Sequence, residues 1–186
     1  VISCDGLLIT NPICYDINGT APEAGIDIEP NLQTERIKNL TILNPYLHNN
    51  VGAGLWLLGK TTNTNQWENV LIKNIHSAYN GSGVILESVG DVTIEGGTLT
   101  NSTVYGITLT RDIRNVRFIN LDIHDNDRRG IGGTLTNQGV SSINWLFANC
   151  RIYNNGKLTP NTHDGVRIDS NSDDYPINNV RFVNCD

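Results

Sequence analysis

The chain has no methionine, and only 17% of its 186 residues are charged, against ~25% in an average soluble domain. The net charge of −6 leaves no basic surplus, so nucleic acid is excluded as an expected partner. No apolar run approaches the ~18 residues of a membrane span, which excludes insertion as a helix. The opening Val1-Ile2-Ser3 is not a charged segment followed by an apolar one, so no signal peptide is legible. The residues that mark a helical bundle or coiled coil are scarce. Cys4, Cys14, Cys150 and Cys185 have neither CxxC spacing nor histidine partners at zinc spacing, so they are expected as small buried hydrophobes and no metal site is expected. There is no Gly-rich phosphate loop, nucleophile elbow or calcium nonapeptide repeat.

In place of charge the chain has 26 asparagines and 18 glycines, residues of turns, set among strand-forming Thr, Ile and Val. They fall into a repeat. A block N-[V/L]-x-[I/F]-x-N recurs as Asn39–Asn44, Asn69–Asn74, Asn115–Asn120 and Asn179–Asn184, with Trp145 in second place at Asn144–Asn149 and variants at Gly6–Asn11 and Asp91–Gly96. Its second residues, from Leu7 to Val180, are 33, 30, 22, 24, 29 and 35 residues apart. A second block opens on glycine after each complete copy, at Gly25, Gly54, Gly83, Gly106, Gly130 and Gly165. Between them lies a short segment holding Leu47, Leu99, Ile123 or Ile152 and tending to end in asparagine, at Asn50, Asn80, Asn126 and Asn155.

Each block is a strand of period two, with alternate side chains pointing inward. Three short strands per repeat, joined by turns, make one coil, and successive coils pair in parallel about 4.8 Å apart. Like residues then lie over like. Asparagine tolerates the left-handed backbone of a sharp corner, and its amide can bond up and down a column. The expectation is an all-β parallel β-helix, a solenoid of about six to seven coils spanning 1–186 as a single domain. No amphipathic helix shields either end, so the ends are expected to be uncapped, the chain to be a fragment of a longer one, and trimer partners or further domains to cover the helix.

These N-V-x-I-x-N blocks, the asparagine column and the G-I-x-I strands resemble the right-handed parallel β-helix of pectate-lyase-like proteins. The run Gly25-Ile26-Asp27-Ile28-Glu29-Pro30 also resembles segments of bacterial and phage carbohydrate-degrading β-helices, tailspike depolymerases among them. The resemblance implies an endo-acting polysaccharide depolymerase, a glycoside hydrolase acting on bacterial surface or capsular glycan. It further implies an extracellular or virion-associated chain with no cofactor, assembled as a homotrimer. Two alternatives stand beside it. One is a lyase or epimerase on uronate polymers, which would use a divalent cation such as calcium. The other is a non-catalytic glycan-binding fibre or adhesin.

Since inward positions are committed to packing, chemistry is expected outside. Asp27 and Glu29 point outward from the first glycine-led strand, their attachment points ~6.6–6.8 Å apart. That separation suits the paired carboxylates of glycosidases, one as acid and one as base or nucleophile. Trp56, one coil on, is placed to stack on a sugar, and Glu87 follows on the same face. A second candidate set is Asn161-Thr162-His163-Asp164-Gly165-Val166-Arg167-Ile168-Asp169, which is similar to the Asn-Thr-Asp-Gly motif of polygalacturonases with His163 inserted. It makes Asp164 and Asp169 candidate catalytic acids and His163 and Arg167 substrate contacts. A third stripe, on the middle strands, carries Tyr46 and His48 as candidate glycan contacts, with Tyr15, His76, Asp122, His124, Arg151 and Tyr153 around them. Asp125, Asp127 and Arg128-Arg129 are expected to be a solvated loop.

Overall fold

Asparagine decides where this chain turns. Asn39, Asn69, Asn115, Asn144 and Asn179, with Asp91, hold φ between 50° and 60°, a region closed to most side chains but open to Asn and Asp. Within a coil such residues recur every five positions, as at Asn69, Asn74 and Tyr79 or Asn144, Asn149 and Asn154. A single left-handed residue bends the backbone sharply and returns it to extended geometry, so the strand turns a corner without a loop. The computed structural model describes residues 1–60, 66–135, 142–158, 165–170 and 177–186. In it every strand pair is parallel, as a solenoid requires.

The described coils have four sides where three were expected. Face A is a sheet of three two-residue strands, Cys4–Asp5, Ile37–Lys38 and Trp67–Glu68. The remaining strands form one fifteen-stranded sheet that wraps the other sides, because bends at left-handed residues do not end the pairing. Val70–Ala78 and Val92–Thr100 each run across two sides, and the 18 residues of Ile107–His124 run around most of one turn. Face B holds the N-V-x-I-x-N blocks, and its inward ladder reads Ile9, Ile42, Ile72, Ile94, Phe118, Phe147, Phe182. The seven rungs match the seven blocks of the repeat. Face C follows with Cys14, Leu47, Ser77, Leu99, Ile123 and Ile152 inward. Face D holds the glycine-led strands.

The core is a stack of like residues. Phe118 and Phe147 lie 4.8 Å apart at 11°, and Phe147 and Phe182 lie 4.5 Å apart at 7°, so the rings report the rise of the coil directly. Trp145 fills the position of Val116 and Val180, and its indole donates to the Ile113 carbonyl at 3.0 Å. All four cysteines are free; Cys150 is fully buried and the others pack against the core.

Two kinds of asparagine column tie the coils. The exposed ones run up the corners: Asn144 donates to Asn115 at 2.9 Å, and Asn179 donates to Asn144 at 2.8 Å. A second column, buried at Asn50, Asn80 and Asn126 and partly buried at Asn155, sits where face C meets face D. Asn50 donates to Asn80 at 2.8 Å, and Asn126 donates to Asn155 at 2.8 Å. Asn126 also accepts from the Ser102 backbone at 2.9 Å and donates to the Leu99 carbonyl at 3.2 Å. This column explains the glycines that open face D. A Cβ on Gly54 or Gly106 would stand 2.9 Å from the amide nitrogen of Asn80 or Asn126 and 2.7 Å from the next glycine carbonyl.

The two columns therefore differ in cost. Asn126→Ala strips the buried Ser102 N–H and Leu99 carbonyl of their partners, at about 1–3 kcal/mol for each group. Asn144→Gly keeps the left-handed backbone, and its exposed neighbours turn to water. Urea unfolding is expected to show a large loss of midpoint for Asn126→Ala and a small one for Asn144→Gly.

Candidate active site

Face D carries the acids. Its outward ladder runs Asp27, Trp56, Ile85, Thr108, Gly132, Arg167. The row two residues on includes Leu58, Glu87 and Thr110, then Thr134 opposite Asp169. Asp27, Trp56 and Glu87 share one end of this face, with Glu29 following the Ile26–Ile28 strand, as the repeat leads one to expect.

Asp27 is half-buried, and its Oδ1 is sealed from solvent without a hydrogen-bond partner. Burial pushes its carboxyl above the ordinary range, and the charge of Glu29 adds to the rise. The Val1 nitrogen donates to the Asp27 carbonyl at 2.9 Å, and the Glu29 N–H donates to the Val1 carbonyl at 2.8 Å. Trp56, paired with Asp27 in register, leaves its indole Nε1 buried and without a partner too. Two neighbouring residues of this face thus each carry a buried polar atom without a partner, as Trp67, Ser88, Ser102, Thr110, Arg114 and Arg129 do elsewhere.

Glu87 is more enclosed, its side chain 14% exposed. Burial raises its carboxyl, Arg111 at 2.7 Å opposes the rise, and Glu29 contributes to it from two coils away. Arg111 is a residue that composition and period do not single out. It holds φ at 61° where the pairing shifts register between Glu87 and Val89, so the guanidinium turns back onto the acid one coil before it. Stacking Arg111 beside Ser88, which is also left-handed at 52°, is the signal that points to it.

The far end of face D is separate. Arg167 pairs with Asp169 at 3.0 Å, both about half exposed. Five coil steps of ~4.8 Å put them about 24 Å from Asp27 along the axis. His163 and Asp164 lie outside the described residues. Between the two ends Arg129 donates to the Tyr105 hydroxyl at 2.9 Å, with its cation 5.6 Å over that ring. Both lie over Gly132, where a Cβ would meet them at 3.2 Å. The expected solvated loop is thus corrected: Arg129 is engaged with Tyr105, and Asp125 binds His124 at 2.7 Å and Lys157 at 2.9 Å.

Tyr46 and His48 stand around the corner from Asp27, on the middle strand of face C. Tyr46 stacks on His76 at 4.9 Å and on His48 at 5.9 Å, and His48 meets Tyr79 at 5.1 Å. The described candidates therefore divide into three groups: Asp27, Glu29, Trp56 and Glu87 together, Arg167 and Asp169 at the far end, and Tyr46 with His48 on another side.

A family model described as a right handed beta helix region matches residues 63–186, two thirds of the chain. The coils before it continue the same ladders in the same register. No curated protein and no solved structure matches the chain.

An acid whose pKa is raised by folding favours the native state while it is protonated, and that advantage is lost as pH rises from the ordinary value through the raised one. Asp27 and Glu87 both shift in this sense. Asp27→Asn, neutral at every pH, is expected to be more stable than the parent near pH 7 and to converge with it in acid. Urea midpoints from about pH 3 to about pH 7 read the difference.

Proposed function

The chain belongs to the right-handed β-helix family, a fold common in carbohydrate-active enzymes and found in polysaccharide-degrading ones, and from that premise we propose that it is an endo-acting polysaccharide hydrolase. The fold by itself would not separate hydrolysis from binding. The observation that supports hydrolysis is the pair of unsatisfied polar atoms, Asp27 Oδ1 and Trp56 Nε1, on a carboxylate-bearing outward face.

Asp27 acts as the general acid. Burial favours its neutral form, the state needed to protonate a leaving oxygen. Glu29 acts as the base, taking a proton from water as that oxygen attacks the anomeric carbon. The C–O bond to the leaving sugar breaks, and the Asp27 proton moves to the departing oxygen. Attachment points ~6.6–6.8 Å apart leave the carboxyls near the ~6.5–9.5 Å window of inverting enzymes. Trp56, on the next coil and in register with Asp27, offers a ring for stacking on a pyranose. Glu87, held by Arg111, lines the neighbouring sugar position.

Reducing-end release and mass spectrometry of products from a glycan panel test the proposal on the full chain. Asp27→Asn and Glu29→Gln are each expected to lower turnover by about 10²–10⁴-fold, with melting no lower than the parent's. Trp56→Ala is expected to raise KM more than it lowers kcat. Activity is expected to fall as pH rises through the elevated pKa of Asp27, because the acid is then ionised. Intact glycans across the panel, or full activity in the Asp27→Asn, Glu29→Gln double variant, would overturn the assignment. Binding without turnover would point to a glycan-binding role instead.

A further inference from the structure

A groove of about 770 Å³ follows the corner between faces A and B, from Glu68 and Asn69 in the third coil to Asn179 and Arg181 in the seventh. Four coil steps of ~4.8 Å give it a length near 19 Å. Its floor is the exposed asparagine column. In that column Asn115 donates to Asp91 at 2.9 Å, and Asn144 and Asn179 each donate one coil back. A carboxamide has two N–H donors and two acceptor lone pairs. At Asn115 and Asn144 one donor serves the column and one lone pair receives from the next coil, so an N–H and a lone pair remain free at each of these two steps. The repeat of these pairs is close to the length of one pyranose in an extended glycan.

The groove wall is the outward ladder of face B, Thr93, Arg117, Leu146, Arg181. Arg117 and Arg181 are exposed and two coils apart, about 9.6 Å. Six of the other eleven Lys and Arg residues are neutralised: Lys38 by Glu68, Lys73 by Glu95, Arg111 by Glu87, Arg151 by Asp122, Lys157 by Asp125 and Arg167 by Asp169. Among the described residues neither Arg117 nor Arg181 has a carboxylate partner. The acids in the groove do not supply one. Glu68 is held by Lys38 at 2.8 Å, and Asp91 accepts from Asn115. Two unpaired forks over an amide floor make a site for carboxylates presented at every second sugar, since guanidinium binds carboxylate through two parallel hydrogen bonds.

We infer that the groove between faces A and B binds a linear acidic glycan, with its carboxylates on Arg117 and Arg181 and its hydroxyls on the asparagine column. The site is independent of the hydrolase proposal, because it lies on a different corner from face D and shares no residue with it.

Calorimetric titration of the full chain with a hyaluronan octasaccharide, whose carboxylates fall on alternate sugars, tests the inference. Binding is expected to weaken with salt and to fall by about tenfold or more in Arg117→Gln, Arg181→Gln. It is expected to stay unchanged in Asp27→Asn, Glu29→Gln, which separates this groove from face D. A neutral cello-oligosaccharide of equal length is expected to bind more weakly. Should the double variant melt early, Arg117→Gln alone must still show a loss. No binding, equal binding of the neutral chain or of a single-stranded oligonucleotide, or retention in the arginine variants would each overturn the assignment. Loss of binding in the Asp27→Asn, Glu29→Gln variant would do the same.

Discussion

Parallel hydrogen bonding between successive coils is the constraint on which everything else in this molecule rests. It fixes the rise at about 4.8 Å and requires each coil to place its corners over those of the one before. A corner must therefore be a residue that accepts a left-handed backbone and can also satisfy polar groups along the column. Asparagine meets both demands, and 26 of them in 186 residues is the compositional trace of that requirement. The same register carries side chains outside the helix into rows, which is how Asp27 and Trp56 come to be neighbours although 29 residues separate them.

The inside and outside of the coil divide the work. Inward rows interlock rings and aliphatics at the coil rise, with the rings of Phe118, Phe147 and Phe182 stacked nearly parallel. The buried asparagines let glycine open face D, and glycine lets neighbouring coils close up against those amides. Only after this packing is settled are the outward positions of face D and the corner between faces A and B free for chemistry. The partial burial of Asp27 and Glu87 arises on that exterior rather than in the core, so their raised carboxyls do not disturb the interlocking stack.

Much of this arrangement was legible in the sequence, because the repeat fixes which residues superpose. The rows through Leu40, Val70, Val92, Val116 and Trp145, and the outward series from Asp27 to Arg167, follow from spacing alone. Face A was not legible, since two residues such as Ile37–Lys38 are too few to show a period. Nor was the continuity of Ile107–His124 through its bends, because a left-handed residue looks like a strand end in sequence. Arg111 escaped for a related reason: its reach to Glu87 depends on a register shift that periodicity averages away. The groove beside Arg117 depends on the angle between two faces, and superposition says nothing of angles.

One step of the stack is joined differently from the rest. Between the third and fourth coils every corner column is interrupted: Asp91 follows Asn69, Gly96 follows Asn74, Asn101 follows Tyr79 and Ser102 follows the buried Asn80. No corner amide bridges that step, and Ser102 leaves its hydroxyl without a partner. Ion pairs cross it instead, Lys73 to Glu95 at 3.5 Å and Glu87 to Arg111 at 2.7 Å, beside the backbone ladder and a Ser82–Thr108 hydrogen bond. The winding is thus two amide-laced segments welded at an ionic joint. Dissolved electrolyte reaches the more open of these pairs and is held off the more enclosed one; unlike the steps that Lys38–Glu68 and Arg151–Asp122 cross beside amide columns, this joint has no corner amides to share the load.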